Sequence, residues 1–361
     1  LLFRQNDLLV TNSQHRGDNG AIYVFSNWTP GGIVVAPPVR PAPPVQPAPP
    51  VVPAPPVNPG TIGFPVAAGS WGGIVRGGPG TNYFGDPKTY PPKGAPVPAD
   101  LDWDLWLGPA PARPYHRAYH PFAWRGWWDF GTGALGDMGC HIMETPFGVL
   151  DLGYPTEAEA SCTTNWVGDF IEADYSESCP SSSLVRLKFN TAEHGDIALN
   201  WYDGGLMPDL PDELKDDEKI GDTGGGTVFY VSKGILVCDT YSRNARLLPS
   251  ERMQQINAPE PYLKRIAGDT GGHQSNWVEA CLNGSETSSD FKRSGPLTEA
   301  VLMGNLAIKS FQYKEPNENG RGFIYPGRRK ILWDGENMRV TNYEKANEWV
   351  KGTYRKGWEL S

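Results

Sequence analysis

Glu157-Ala158-Glu159-Ala160-Ser161-Cys162-Thr163-Thr164-Asn165-Trp166 alternates along its length. A period of two puts Ala158, Ala160, Cys162, Thr164 and Trp166 on one face of a strand and the more polar residues on the other. Downstream, Leu184–Phe189, Asp196–Tyr202, Thr227–Val231 and Ile235–Cys238 repeat the pattern between Gly, Asn and Asp breaks. Ser232-Lys233-Gly234 separates the last two by a turn's length, and Gly234 is free to take positive φ, which predicts a tight hairpin. Strands joined by short turns run antiparallel. On either side the period changes: Leu135, Met138, Ile142 and Val149 recur at three-, four- and seven-residue steps within Gly133–Leu150. Residues 273–283 and 296–312 also read as amphipathic helices. The expected fold is α+β: an open-faced, mostly antiparallel sheet with helices on one face.

This texture begins near Asp100, so the globular domain is placed at 95–361. What precedes it differs. Residues 37–60 form a hexad repeat, Pro-Pro-Val-Arg-Pro-Ala, Pro-Pro-Val-Gln-Pro-Ala, Pro-Pro-Val-Val-Pro-Ala, Pro-Pro-Val-Asn-Pro-Gly. Proline fixes φ and removes donors, which leaves polyproline II, a stiff spacer of about 70 Å at roughly 3.1 Å per residue. Three readings stand for it: a linker, a ligand for a proline-recognition module, and a product of a misassembled gene. Residues 61–94 stay Gly/Pro-rich and read as irregular. Residues 1–36 are short and ambiguous, with Ala21–Phe25 as a candidate strand. The start Leu1-Leu2-Phe3 lacks an initiator Met and reads as that of a fragment.

Composition narrows the function classes. Of 361 residues 39% are hydrophobic, enough for a core, and the net charge of -9 argues against nucleic acid as a partner. No apolar run reaches membrane-span length. The five cysteines are odd in number and widely spaced, with no Cys-x-x-Cys pair, and read as buried or free thiols. Asp209–Lys219 holds six acids and two lysines and reads as a mobile solvated loop.

The densest chemistry lies in Tyr115–Glu144. Asp137 and His141 are four residues apart on the expected helix, so their side chains share a face, and a carboxylate beside an imidazole can titrate near neutral pH. The competing reading is a carboxylate satisfying helix amides and a hydrogen-bonded core histidine. Gly133, Gly136 and Gly139 are poor helix formers and predict a close approach to the backbone. Trp124, Trp127 and Trp128, with Phe122, Phe130 and Arg125, precede the helix, and His120 stands just upstream. Aromatic faces bind the C–H faces of sugars, while Arg and His bind hydroxyls or carboxylates; the alternative is that these indoles pack beneath the sheet. Asp137, His141 and Glu144, at i, i+4 and i+7, are also a candidate metal-ligand set.

Residues 127–143, Trp-Trp-Asp-Phe-Gly-Thr-Gly-Ala-Leu-Gly-Asp-Met-Gly-Cys-His-Ile-Met, resemble the signature of the Gfo/Idh/MocA oxidoreductases, most closely a bacterial branch. The likeness continues through Leu101–Pro109, Asn276–Cys281, Leu302–Ala307 and Tyr354–Leu360, and covers roughly 95–361. In that family a Gly-x-Leu-x-Asp-x-Gly-x-His motif opens a helix lining the active site; here it falls on Gly133, Leu135, Asp137, Gly139 and His141. The resemblance implies that Asp137 and His141 assist proton transfer at a substrate hydroxyl while a hydride passes to or from NAD or NADP. It implies a carbohydrate-like substrate, bound here by Trp124, Arg125, Trp127, Trp128 and His120, and a homo-oligomer formed through the open sheet face.

The departures matter equally. Family members begin with a Rossmann domain, yet no Gly-x-Gly-x-x-Gly turn following a strand occurs in residues 1–95, and the family's Glu-Lys-Pro segment is missing. Gly224-Gly225-Gly226 lies in the sheet region without a following helix. This chain alone is therefore expected to bind NAD or NADP weakly. Two functions compete: the substrate half of an oxidoreductase acting on a sugar, sugar derivative or cyclitol, and a non-enzymatic carbohydrate-binding or assembly module derived from it.

Overall fold

The computed structural model describes residues 9–11, 22–24, 65–69, 93–164, 166–174, 176–231, 234–255 and 266–359. The proline hexads at 37–60 lie outside the described residues. The fold is α+β, built on one nine-stranded sheet. Its strands are β1 (Pro65–Gly69), β2 (Glu157–Cys162), β3 (Ser183–Thr191), β4 (Gly195–Tyr202), β5 (Gly226–Val231), β6 (Gly234–Asp239), β7 (Arg246–Leu248), β8 (Ile331–Asp334) and β9 (Arg339–Val340). They lie side by side in the order β7-β6-β5-β1-β4-β3-β2-β8-β9. Only the β1–β4 pair is parallel among these neighbours; the rest are antiparallel.

The structure departs from the sequence reading at several edges. Residues 61–94 are not irregular throughout, because Pro65–Gly69 forms β1 between β4 and β5. Pro65 stands at the first strand position, where a missing N–H is tolerated best. Farther upstream, Ile22–Val24 pairs with Leu9–Thr11, within the expected Ala21–Phe25 strand. The strand expected through Trp166 stops at Cys162, because its partner β3 begins at Ser183, opposite Cys162. Trp166 instead opens a separate hairpin with Ile171–Glu172. The β5–β6 hairpin forms as expected, with Val231 opposite Gly234 at φ 140°.

Among the described residues, helices pack on one face of the sheet. The described helices are α1 (Trp103–Leu107), α2 (Gly133–Ile142), α3 (Glu144–Leu150), α4 (Asp269–Asn283) and α5 (Phe291–Gln312), of which α2, α3 and α5 pack over the sheet's core face. Ala158 and Ala160 of β2, Val185, Leu187 and Phe189 of β3, and Ile197, Leu199 and Trp201 of β4 point into a core with Leu135, Ile142, Met143, Phe147, Val301 and Ile308. The opposite face of β2 and β3 carries Glu157, Arg186, Lys188 and Asn190, with Lys188 and Lys330 both paired to Glu157 at 2.7 and 3.1 Å. At the β5–β7 end that second face is covered. Ile220, Val228, Ile235, Val237 and Leu248 cluster there with Leu214. The acidic 209–219 loop is thus anchored rather than simply solvated: Lys215 pairs with Glu251, Ser250 N donates to Glu218 Oε1 (3.0 Å), and Tyr230 donates to Asp209 O (2.9 Å).

Helix α5 begins earlier than Pro296 suggests, because Asp290 caps it by accepting from Arg293 N at 3.1 Å. The expected single helix Gly133–Leu150 is two. Pro146 has no N–H to donate to Ile142 O, and α2 ends at Ile142. The Thr227 hydroxyl of β5 donates to that Ile142 carbonyl at 3.5 Å, which fixes the end of α2 to the sheet. All five cysteines are free thiols, and burial pushes the Cys162 thiol up to about 12.

Candidate functional site

The position of α2 is set by its glycines. A Cβ at Gly139 would lie 3.0 Å from Val301 Cγ2, and one at Gly304 would lie 2.6 Å from Leu135 Cδ2. The close approach expected along this helix is therefore made by α5, with the two helices crossing glycine to side chain. Gly133 enters the helix at φ 66° with the Cys179 side chain against it, which no larger residue would accept.

So held, α2 presents Asp137 and His141 on adjoining turns. Arg125 Nε lies 3.2 Å from Asp137 Oδ1, and both side chains are largely buried. The Arg125 guanidinium is stacked 4.5 Å from the Trp124 ring and 4.4 Å from the Phe122 ring, and donates to Phe122 O at 3.2 Å. A short 3-10 turn, Ala123–Gly126, carries it. Burial lowers the His141 pKa below its ordinary value, with the Asp137 carboxylate opposing the shift. The imidazole is thereby biased toward its neutral, proton-accepting form.

A second segment closes on His141. The Tyr241 ring stands edge-on to the imidazole at 5.4 Å, and the Ser242 and Thr145 hydroxyls pair beside it. Tyr241, Ser242 and Asn244 all hold positive φ, at 60°, 59° and 51°. A bulky residue in that region is strained, and such strain persists where surrounding contacts impose it. Sequence reading missed Tyr241; a Tyr-Ser-Arg-Asn stretch after a strand looks like an ordinary turn.

The other expected site residues separate from this group. Trp127 is 1% exposed, donates to Ala118 O at 2.9 Å and packs edge-on against Tyr119 at 4.8 Å. It is a core residue of an aromatic cluster and offers no face to a ligand, which corrects its assignment to substrate binding. His120 lies edge-on to Trp106 at 5.8 Å in the same neighbourhood. Trp128 packs against the main core, with Lys309 Nζ 5.6 Å from its ring. Glu144, the third residue of the candidate metal set, accepts from Arg293 at 2.6 Å. Among the described residues no three His, Cys, Asp or Glu side chains gather as a metal site.

The comparisons bear on this geometry. The model described as "Oxidoreductase family, C-terminal alpha/beta domain", of Gfo/Idh/MocA type, matches residues 83–158. Residues 83–158 are thus similar to the C-terminal domain of that oxidoreductase family, a match over less than half of the chain. The segment includes Arg125, Asp137 and His141. No curated protein matches the chain. Solved structures of levoglucosan dehydrogenase align with it: the complex with NADH and L-sorbose (13% identity, 69% of this chain and 58% of that one, TM-score 0.30) and the complex with NADH (14%, 69% and 57%, 0.30). The apo form aligns at 13% identity over 69% and 59%, with TM-score 0.31. The chain thus spans less than two thirds of their length.

Two stretches that carried the resemblance meet across 251 positions. Arg355 pairs with the Asp104 carboxylate, donates to Asp104 O at 3.0 Å and reaches Gly108 O at 3.1 Å. This clasp ties the chain's end to α1. No strand, glycine-rich turn and helix follow one another among the described residues in the way a dinucleotide pyrophosphate needs; the 221–226 glycines lead into β5 instead.

Proposed function

We infer that this domain is the sugar side of an NAD(P)-linked oxidoreductase, binding a sugar, sugar derivative or cyclitol and moving the proton of the hydroxyl under reaction. The observation that carries the reading is the Arg125–Asp137–His141 group: a lowered-pKa imidazole one helical turn from an arginine-held carboxylate. Oxidation of a carbinol removes a hydride from carbon and a proton from oxygen. His141 accepts that proton, and Asp137 stabilises the imidazolium that forms. The half-buried Trp124 ring, backed by Arg125, offers an apolar surface to sugar C–H groups, and Tyr241 adds an exposed phenol at 48% exposure. Residues 95–361 act as one substrate domain. The open face of β2 and β3, with its paired charges, suits a second copy of the chain, and homo-oligomerisation through it belongs to the same reading.

Saturation-transfer NMR with a panel of aldoses, sugar acids and cyclitols tests the binding half of this reading. Saturable transfer from one chemical class, lost in Arg125→Met, is expected; no transfer from any member to a folded protein contradicts it. The absence of a fitting dinucleotide turn favours a second reading, a carbohydrate-binding module without its own redox chemistry. An NADH fluorescence titration tests this second reading: saturable micromolar binding by this chain would remove it.

A further inference from the structure

The turn that follows β6 is tied down at nearly every residue. Asp239 N donates to Arg243 O at 2.7 Å, and Asn244 Nδ2 donates back to Asp239 Oδ2 at 2.6 Å. The buried Thr240 hydroxyl donates to Asp222 Oδ1 at 2.6 Å. That carboxylate also accepts from Gly224 N (2.8 Å) and Gly225 N (3.1 Å), so the turn is fastened to the loop entering β5. The Ser242 hydroxyl pairs with the Thr145 hydroxyl on α3. Tyr241 sits in the middle of these ties, and among the described residues its side chain makes no hydrogen bond. Its half-exposed ring meets two groups instead: the His141 imidazole, edge-on at 5.4 Å, and the Arg243 guanidinium at 5.6 Å.

Tyr241 and Ser242 both hold left-handed backbone, at φ 60° and 59°. Glycine or asparagine adopts that conformation at little cost, whereas a tyrosine is strained there. The ties impose the strain, yet none of them needs an aromatic ring at 241. What the ring supplies is cover for His141. Several charged groups stand on the elements packed around that imidazole. Arg125 is paired with Asp137, Glu144 of α3 with Arg293 of α5, and Asp239 with Arg246, while Asp222 and Arg243 belong to the turn and its fastening. Asp137 is the charge that raises the His141 pKa, and burial outweighs it. We propose that Tyr241 is a positioning residue for proton transfer at His141: the strained turn clamps its ring against the imidazole, fixing the imidazole plane and keeping water from it. The inference rests on the reading of His141 as the base.

The test is an NMR titration of the His141 imidazole in the full chain, its signal assigned through His141→Gln. No sugar is needed, so a failure here is distinct from a failure of the sugar panel. Tyr241→Phe keeps the ring and should leave the midpoint where it stands in the unchanged protein. Tyr241→Asn suits the left-handed backbone and removes the ring. Water then reaches the imidazole, and its proton affinity should rise roughly threefold or more, carrying the midpoint toward about 6.5. A residue that merely supports the turn would instead lower Tm and leave the midpoint unmoved. Should the Asn variant fail to fold, Ser242→Gly relaxes the backbone, cuts the tie to Thr145 and should shift the midpoint the same way. An unmoved midpoint in either folded variant overturns the proposal. So does a Tyr241→Phe midpoint that moves as far as that of Tyr241→Asn.

Discussion

Arg125 Nε and Asp137 Oδ1 stand 3.2 Å apart, joining a 3-10 turn to a helix that begins seven residues later. The pair is largely buried, so its geometry is fixed by packing against Trp124 and Phe122 rather than by the charges alone. Replacing Arg125 with Met keeps the stem and removes the guanidinium. The largely buried Asp137 carboxylate then loses that partner, so stability should fall by about 3–5 kcal/mol, read by urea unfolding. Affinity for the sugar identified by NMR should fall at least tenfold. A large stability loss with unchanged affinity would make the pair purely structural.

The His141 imidazole carries a pH signature. Burial holds its folded pKa below the unfolded value of about 6.5. The unfolded chain therefore binds the proton more readily, and His141's contribution to stability is full above pH 6.5 and is lost as pH falls through the folded value. An NMR titration of the imidazole should give a midpoint below 6.5. Asp137→Asn removes the opposing charge and should move the midpoint lower still. A midpoint above 6.5 would contradict the bias toward a neutral base.

Much of this arrangement was legible in the sequence, for identifiable reasons. Alternation in Glu157–Cys162 and Leu184–Phe189 announced the sheet because one face is buried and the other charged. Helical spacing put Asp137 and His141 together. What escaped depends on contacts between distant segments. Tyr241 reaches His141 through a loop whose positive φ values no residue type signals. Trp127 and Trp124 look alike in sequence, yet only packing decides that one is sealed against Tyr119 and the other stacks on Arg125. The β1 strand hides in a Gly/Pro-rich stretch that local propensity reads as irregular.

Asp203 is buried, and burial raises its pKa against the hydrogen bonds from Trp201 and Ser183. Its Oδ2 accepts from Trp201 Nε1 at 2.7 Å and from the Ser183 hydroxyl at 2.8 Å, while Oδ1 accepts from Ser183 N at 2.6 Å. In Asp203→Asn an amide NH2 must replace one acceptor. If it faces the indole, the Trp201 N–H has no acceptor; if flipped, it faces the Ser183 amide. Either orientation should cost about 1–3 kcal/mol in denaturant unfolding. A neutral or stabilising result would show that the protonated acid already dominates at the assay pH.

The α2–α5 crossing predicts that Gly304→Ala destabilises by about 1–3 kcal/mol, because its Cβ would lie 2.6 Å from Leu135 Cδ2 and 3.2 Å from Val185 Cγ1. Thermal melting checks this. The shift of α2 should also disturb the His141 titration, coupling core packing to the candidate site. Wild-type melting in Gly304→Ala would mean that the two helices are free to separate.

The most direct test of the central claim is turnover in NAD(P)-linked oxidation of the bound sugar class, by this domain joined to a Rossmann half, with His141→Ala compared against the unchanged protein and Tm recorded for both. A general base typically contributes about 10²–10⁴-fold. The account predicts a loss of that order in kcat with Tm nearly unchanged. Near-normal turnover in a protein that has lost stability would contradict it, and would make His141 a core histidine.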